Sequence, residues 1–316
     1  MKSDKYVIGI DLGGTNTQIG VVDADGNVTA QGTVKTGKYP CFDDYIEAVA
    51  QCIHTLIQDK PDIEGIGVGA PMGNLYTGNI QNAANLPWPG IVPLASLLSQ
   101  KTGYPVTVTN DANAAAIGEM KYGAAQGMKD FMVITLGTGI GSGIVAGGRL
   151  VVGHDGLAGE LGHTSAVVQE GRACGCGRVD CLETYASATG MVRTARAWLE
   201  HYEGDSPLAR IDRNELTSKD IYDAAVAGDK LACDIFTFTG HVLGESFCNF
   251  VAFSAPEAII LFGGVAKAGK LLTDPIEERM NEKLISFWKG KVKILISPLD
   301  GANAAILGAS ALAWKE

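Results

Sequence analysis

The sequence lacks long apolar runs, basic clusters and a leader-like start. No segment of its 316 residues approaches the roughly 20 uninterrupted apolar positions that a membrane-spanning helix needs. Lysine and arginine number 25 against 35 acidic residues, giving a net charge of −10, and no basic run offers the footprint of a nucleic-acid or membrane-surface protein. The polar start, Met1–Lys5, has no signal-peptide core. We therefore expect a cytoplasmic protein that binds neither nucleic acid nor membrane.

The seven cysteines do not form the disulfide framework typical of short secreted chains. Three of them are clustered downstream of a histidine and together offer the Cys₃His donor set of a structural zinc site: His163, Cys174, Cys176 and Cys181. Three free thiols beside an unrelated histidine are the alternative. The other four are scattered through apolar or helical segments and are interpreted as buried thiols: Cys41, Cys52, Cys233 and Cys248.

The length favours two α/β lobes, and an internal repeat supports them. Ile10–Thr15 is echoed by Ile134–Gly139, and each copy reads as strand, glycine turn, strand, over 6–22 and 131–145. Periodicity predicts further helices at 43–59, 220–228, 231–254, 275–288 and 302–314, and strands at 65–69, 106–109, 257–262 and 292–296. We expect a small lobe of residues 1–118 plus 302–316 and a large lobe of residues 119–301.

The two glycine turns predict a clamp for a polyphosphate. Paired glycines let the backbone fold tightly enough to aim several N–H groups at one anion, and Asp11 can hold Mg²⁺ through water. The first turn matches neither the dinucleotide fingerprint nor the Walker A loop, and taken alone it is equally consistent with a plain hairpin. The candidate nucleotide-binding residues are Asp11, Gly13, Gly14, Thr15, Asn16, Gly137, Thr138 and Gly139. A third pair, Gly263-Gly264, follows a strand and either contacts adenosine or forms a packing turn.

Polar residues suited to acid–base and sugar chemistry lie near these turns. Asp111 follows a predicted strand and opens a helix, so it is either a structural N-cap or a base that accepts the proton of an attacking hydroxyl. Asn110, Glu160 and Glu183 are carboxylate and amide groups of the kind that bind vicinal hydroxyls. Each of them alone would be an ordinary surface residue or ion-pair partner.

These motifs occur in the order and spacing of the ROK family of bacterial sugar kinases, and the sequence resembles the family's glucokinases over essentially its whole length. The resemblance implies a two-lobed actin-like ATPase (ribonuclease H-like) α/β fold with a duplicated core and a cleft between the lobes. It implies ATP-dependent phosphorylation of a hexose, with glucose preferred, Asp111 as general base and Mg²⁺ on the ATP phosphates. It implies that the sugar is held by Asn110, Asp111, Glu160, His163 and Glu183.

The chain departs from the family pattern at two places. Asp180 stands where the family often has glycine before the last zinc cysteine, and the third glycine motif is Phe262-Gly263-Gly264 rather than three glycines. The first departure bears on the geometry of the cysteine loop and the second on the adenosine contact.

Three other functions remain open. The preferred substrate can instead be mannose, fructose, allose, N-acetylglucosamine or N-acetylmannosamine. A ROK-type sugar-responsive regulator would share the sugar-binding lobes, and a mechanical actin-like ATPase would share the fold without the sugar residues. We expect a homodimer or homotetramer.

Overall fold

The structure is a computed structural model that describes residues 5–60, 62–299 and 303–315. The chain divides into two compact units, one made of Met1–Met128, Gly143–Gly159 and Ser297–Glu316 and the other of Lys129–Ser142 and Glu160–Ile296. Within the parts of the chain described, no helix is both long and apolar enough to cross a bilayer.

The unit boundaries differ from the expected lobes, 1–118 plus 302–316 and 119–301. A helix over Asp111–Tyr122 runs unbroken through the expected boundary at residue 118. Gly143 belongs to the first unit because its backbone packs on this helix: a Cβ there would lie 2.6 Å from Cβ of Ala116. The last predicted helix, 302–314, begins at Ala304 in the structure, and Ala302 lies outside the described residues.

The first half of the chain alternates strands and helices after an opening meander. Its elements are β1 (Lys5–Leu12), β2 (Thr17–Asp23), β3 (Val28–Val34), α1 (Phe42–Leu56), β4 (Asp62–Gly69), β5 (Ile80–Gln81), β6 (Ile91–Val92), α2 (Leu94–Thr102), β7 (Val106–Thr109) and α3 (Asp111–Tyr122). The main sheet has the order β3-β2-β1-β4-β7, antiparallel through the meander and parallel from β1 to β7. The parallel strands are buried, as helices on both faces of such a sheet require.

The second half repeats this plan. Its elements are β8 (Phe131–Leu136), β9 (Ile140–Ala146), β10 (Arg149–Leu150), α4 (Glu183–Ala186), α5 (Ala188–Leu199), α6 (Ser218–Val226), α7 (Lys230–Ser254), β11 (Ala258–Phe262), α8 (Lys270–Lys283), β12 (Lys293–Ile296) and α9 (Ala304–Ser310). The strand order is β10-β9-β8-β11-β12, with β8, β11 and β12 parallel. Since this order matches the first sheet strand for strand, the duplicated core predicted from the glycine repeat is confirmed.

Glycines in the first sheet let α9 lie directly on its strands. A Cβ on Gly67 would come within 1.9 Å of the carbonyl oxygen of Ala309, and one on Gly9 within 2.1 Å of that of Ile306. α9 also packs against α3, where a Cβ on Gly118 would lie 2.7 Å from Cα of Gly308. Any larger residue at these positions would separate the helix from the sheet and expose apolar surface.

One helix starts earlier than its sequence predicts. The sequence predicts a helix over residues 275–288, but α8 begins at Lys270, ends at Lys283 and holds Pro275 in its interior. The proline ring is accommodated by Gly240 on α7, where a Cβ would lie 2.6 Å from the ring. Packing against α7 therefore outweighs the usual cost of an interior proline.

The interpretation of the four scattered cysteines as buried thiols is wrong. Cys41, the N-cap residue of α1, is exposed, and the other three are only half-buried. Cys52 on α1 lies beside Gly32 of β3, where a Cβ would come within 2.5 Å of the sulfur.

Candidate active site

Two carboxylates of the first unit lie close to each other. Asp11 stands near the end of β1, and Asp111 is the first residue of α3, which follows β7. Burial, together with the charge of Asp111, raises the pKa of Asp11 from 3.8 to about 6. A carboxyl group with such a pKa changes charge in the range in which many enzymes work, which is typical of functional sites.

The N-cap of α3 is Asn110 rather than Asp111. The Asn110 Oδ1 accepts a hydrogen bond of 2.7 Å from the backbone N–H of Asn113, which satisfies the first turn of the helix. Asp111 is the first residue inside the helix and is exposed, so its carboxylate is not the cap. The N-cap role, which was the structural alternative for Asp111, therefore belongs to Asn110.

The first glycine turn joins β1 to β2 in a tight hairpin. The N–H of Gly13 donates to the carbonyl of Asn16 at 3.0 Å, and Thr15 and Asn16 are exposed. Gly14 is required by a close approach, since a Cβ there would lie 2.4 Å from the carbonyl oxygen of Asn85.

Behind this turn lies a network of buried hydroxyl groups that the sequence did not reveal. Thr17 at the start of β2 is hydrogen-bonded to Thr36 at 2.9 Å and to the hydroxyl of Tyr45 at 2.7 Å. Burial raises the pKa of Tyr45, and the charge of Asp11 adds to the effect. Separate threonines and a tyrosine in three different elements carry no recognisable sequence signal for such a network.

The second glycine turn joins β8 to β9 and lies against Glu183 of α4. The backbone N–H of Ile140 donates to Oε2 of Glu183 at 3.4 Å, and a Cβ on Gly139 would lie 2.7 Å from the same oxygen. The carbonyl of Gly137 accepts from the N–H of Ala188 at 2.8 Å, so the turn is also fixed to the start of α5. Thr138 and Gly137 are exposed.

The Glu160–His163 motif packs on the strand that follows this turn. A Cβ on Gly162 would lie 2.1 Å from the carbonyl oxygen of Ile140, so glycine is required there. Glu160 is exposed, and its carbonyl accepts from the N–H of His163 at 3.1 Å. The single-turn 3₁₀ helix of Leu161–His163 thus positions the imidazole.

His163 and the three clustered cysteines come together as predicted. Their ligand atoms all lie within 4.8 Å of one another. Nδ1 of His163 lies 3.7 Å from Sγ of Cys174, and Sγ of Cys176 lies 3.6 Å from Sγ of Cys181. Tetrahedral zinc with Zn–S bonds of about 2.3 Å has sulfur atoms roughly 3.7 Å apart. The donor set and its spacing therefore fit a structural zinc ion, with Nδ1 as the histidine ligand.

Glu183 links the cysteine cluster to the second glycine turn. Its Oε1 accepts from Sγ of Cys174 at 3.0 Å and lies 3.8 Å from Nδ1 of His163, while Oε2 faces Ile140. Burial raises the pKa of the Cys174 and Cys181 thiols, whereas the backbone N–H of Arg178 lowers that of Cys176. Since cysteine binds a metal as the thiolate, a zinc ion bound at this cluster would release protons.

The two glycines of the third pair, Gly263 and Gly264, have different surroundings. Gly263 follows β11 with φ 101°, and a Cβ there would lie 2.7 Å from the carbonyl oxygen of Leu136, so this residue is a packing turn. Gly264 borders a cavity of about 320 Å³ within the second unit, a volume in the usual range for small-molecule sites. The cavity is lined by Met191, Ser218, Lys219, Tyr222, Phe236, Gly264, Val265, Lys267 and Ala268.

Comparisons with known proteins identify the family of this chain. The model of the ROK family matches residues 7–316. The glucokinase of Halalkalibacterium halodurans is 36% identical over 312 residues, covering 97% of this chain and 94% of its own. The xylose repressor of Caldicellulosiruptor bescii is 29% identical over 97% of this chain and 77% of its own.

A solved structure extends the likeness to three dimensions. The ROK family glucokinase from Streptomyces griseus, in complex with glucose and AMPPNP, is 34% identical, with a TM-score of 0.78 over 97% of this chain and 98% of that one. The fold is thus the actin-like ATPase α/β fold of its structural neighbours, the ROK sugar kinases. From the family match, the duplicated sheets and the assembled motifs, we conclude that this chain belongs to the ROK family.

Proposed function

We propose that this protein is an ATP-dependent hexokinase that phosphorylates glucose to glucose 6-phosphate, with Asp111 as the general base. The observation that carries the proposal is the exposed Asp111 carboxylate at the first position of α3, where Asn110 already caps the helix. A carboxylate at this position accepts the proton of the attacking hydroxyl as it reaches the γ-phosphoryl group. Such general-base help contributes roughly 10²–10⁴-fold to a rate.

The nucleotide is proposed to bind along the two glycine turns and the cavity at Gly264. Backbone N–H groups of Gly13, Gly14, Gly137 and Gly139 suit the phosphates, since fixed dipoles stabilise the charge that a phosphoryl group spreads over its oxygens. Mg²⁺ supplies charge neutralisation on the phosphates, and Asp11 is the residue proposed to hold it. The apolar walls of the cavity, Tyr222 and Phe236 among them, suit an adenine ring.

The sugar is proposed to be bound by Asn110, Asp111, Glu160, His163 and Glu183. Carboxylates and amides accept and donate hydrogen bonds to neighbouring hydroxyls, and His163 keeps Nε2 for the sugar when Nδ1 faces the cysteines. Zinc supplies a fixed orientation for the imidazole and the cysteine loop. The ring nitrogen that binds the metal thereby determines which tautomer faces the substrate.

Glucose is proposed as the preferred hexose for two reasons. The similar protein from Halalkalibacterium halodurans is a glucokinase, and the similar structure from Streptomyces griseus contains bound glucose. Mannose, fructose, allose, N-acetylglucosamine and N-acetylmannosamine are the competing substrates. A homodimer or homotetramer remains a prediction.

A coupled assay of ADP release with each of these six sugars tests the proposal. We expect turnover that requires a hexose and Mg²⁺ and a kcat/KM that is highest for glucose. A higher kcat/KM for another sugar would change the substrate and keep the kinase. Hexose binding without turnover would favour a sugar-responsive regulator, and ATP hydrolysis unaffected by any hexose would favour a mechanical ATPase.

A further inference from the structure

Asp180 adopts a backbone conformation that favours glycine. It precedes Cys181 and has φ 56°, the left-handed region that side chains other than those of asparagine and aspartate rarely occupy. A residue kept in this conformation although it has a side chain needs a compensating interaction.

The Asp180 side chain makes two such interactions. Its Oδ1 accepts a hydrogen bond of 2.8 Å from the backbone N–H of Arg172 and one of 2.5 Å from the hydroxyl of Tyr185. The backbone N–H of Asp180 in turn donates to the carbonyl of Arg172 at 2.8 Å. One carboxylate therefore closes the base of the cysteine loop, residues 172–181, and ties that base to α4.

Tyr185 is also held from its other side. The guanidinium carbon of Arg172 lies 4.2 Å from the centre of the tyrosine ring, and the same guanidinium donates to the carbonyl of Thr184 at 3.1 Å and to the hydroxyl of Thr194 at 2.9 Å. Arg172 and Tyr185 are both buried. A guanidinium that stacks on a buried ring and donates hydrogen bonds from its own edge contributes more to stability than an exposed cation–ring pair does.

The contacts of this network involve none of the four proposed zinc ligands. They join the start of the cysteine loop, its end and helix α4, which begins with Glu183. The loop thus has its own attachment to the helix that carries the proposed sugar contact.

We propose that Asp180 is a positioning residue that holds the cysteine loop on α4 independently of the metal. The loop is then already folded before zinc arrives, so less ordering is needed when the metal binds. The expected effect of Asp180 on sugar affinity rests on the proposed function, because it assumes that His163 and Glu183 bind the hexose.

Hydrogen–deuterium exchange on chelator-treated, metal-free protein tests the proposal directly. The wild type is compared with Asp180→Gly, which keeps the backbone conformation and removes the carboxylate, and with Asp180→Asn, which keeps one acceptor without charge. We expect exchange at the Arg172 amide to accelerate about 10- to 100-fold in Asp180→Gly and less in Asp180→Asn. Asn82→Gly is the matched control, because Asn82 has φ 54° and lies in the first unit.

Zinc affinity supplies the second measurement. We expect it to fall by about 10- to 100-fold in Asp180→Gly, as for other groups that support metal ligands, and the KM for glucose to rise with little change in kcat. Unchanged exchange in the metal-free protein would overturn the role of Asp180, as would equal zinc affinity of the variant and a wild type that does bind zinc. If Asp180→Gly does not fold, Tyr185→Phe is measured in the same way, because it removes one of the two hydrogen-bond donors to the Asp180 carboxylate.

The two proposals fail separately. A wild-type chain that binds no zinc would refute the metal site alone, because the exchange comparison is made without metal. A chain without glucose kinase activity would likewise leave the exchange result to decide whether Asp180 holds the loop.

Discussion

Oε2 of Glu183 lies 2.7 Å from the point where a Cβ on Gly139 would stand, so the second glycine turn and the helix that begins with Glu183 are in direct contact. A change in the turn is therefore expected to reach the carboxylate. Glu183 also contacts Cys174, which extends the same connection to the cysteine loop.

Gly139→Ala tests this contact. The added methyl group must displace the Glu183 carboxylate, so we expect the KM for glucose to rise by roughly tenfold, the cost of about one lost hydrogen bond to a charged group. Gly137→Ala is the matched control in the same turn, since a Cβ there would meet none of the residues that the structure describes within 4 Å. Steady-state kinetics with varied glucose distinguish the two variants, and equal glucose KM values would contradict the prediction.

Asp111→Asn tests the general base. The variant keeps the size of the side chain and loses the proton acceptor, so we expect kcat to fall by at least about 10²–10⁴-fold while glucose binding, measured by calorimetry, stays close to that of the wild type. Asp43→Asn removes an exposed carboxylate from the first turn of another helix and serves as the control. A kcat near the wild-type value in Asp111→Asn would rule out this base.

Asp11→Asn is predicted to gain stability and lose activity. The pKa of Asp11 is about 6 in the folded protein against an ordinary 3.8, so the unfolded chain binds fewer protons between these values. The folded state therefore loses stability as the pH rises through about 6. At pH 7.5 we expect the neutral asparagine to raise the free energy of unfolding by about 1–2 kcal/mol.

Denaturant titrations at several pH values measure this difference. It should shrink as the pH falls from about 6 and disappear well below 3.8, where wild-type Asp11 is protonated in both the folded and the unfolded state. The exposed Asp59→Asn serves as the control and should show no such dependence. A gain that is equal at all pH values would contradict the assignment to buried charge, whereas retained kcat would contradict the proposed contact with Mg²⁺.

Cys176→Ala tests the zinc site. Because three ligands remain, we expect metal affinity to fall steeply, the melting temperature to drop and the KM for glucose to rise by roughly 10- to 100-fold. Metal analysis of the wild type should find one zinc per chain. Cys41→Ala, which removes an exposed cysteine remote from the cluster in sequence, should change none of these quantities. Full activity in a zinc-free wild type would refute the metal site.

The sequence predicted those features that depend on repeated or clustered residues. The glycine turns after Leu12 and Leu136 predicted the duplicated sheets, and the spacing from His163 to Cys181 predicted a cluster that the structure assembles. Such patterns are local, and their chemistry requires particular residue types.

Other features depend on contacts that sequence spacing does not reveal. Asparagine and aspartate are equally good N-caps, so only the hydrogen bond to Asn113 identifies Asn110 as the cap. β3 is not predicted because its half-buried positions hold Val28, Ala30 and Gly32, whose small side chains give only a weak alternation of apolar and polar residues. The start of α8 could not be predicted from Pro275 because Gly240, 35 positions away, accommodates its ring.

The docking of α9 on β1 and β4 has a consequence for biosynthesis. α9 completes the first unit, yet it is translated after the whole of the second unit, Lys129–Ser142 and Glu160–Ile296. While the ribosome makes that second unit, the sheet surface around Gly9 and Gly67 has no helix to cover it. Apolar surface that is exposed during synthesis promotes aggregation. We therefore expect the second unit to fold first during synthesis, and the nascent first unit to be the part of the chain on which chaperones act.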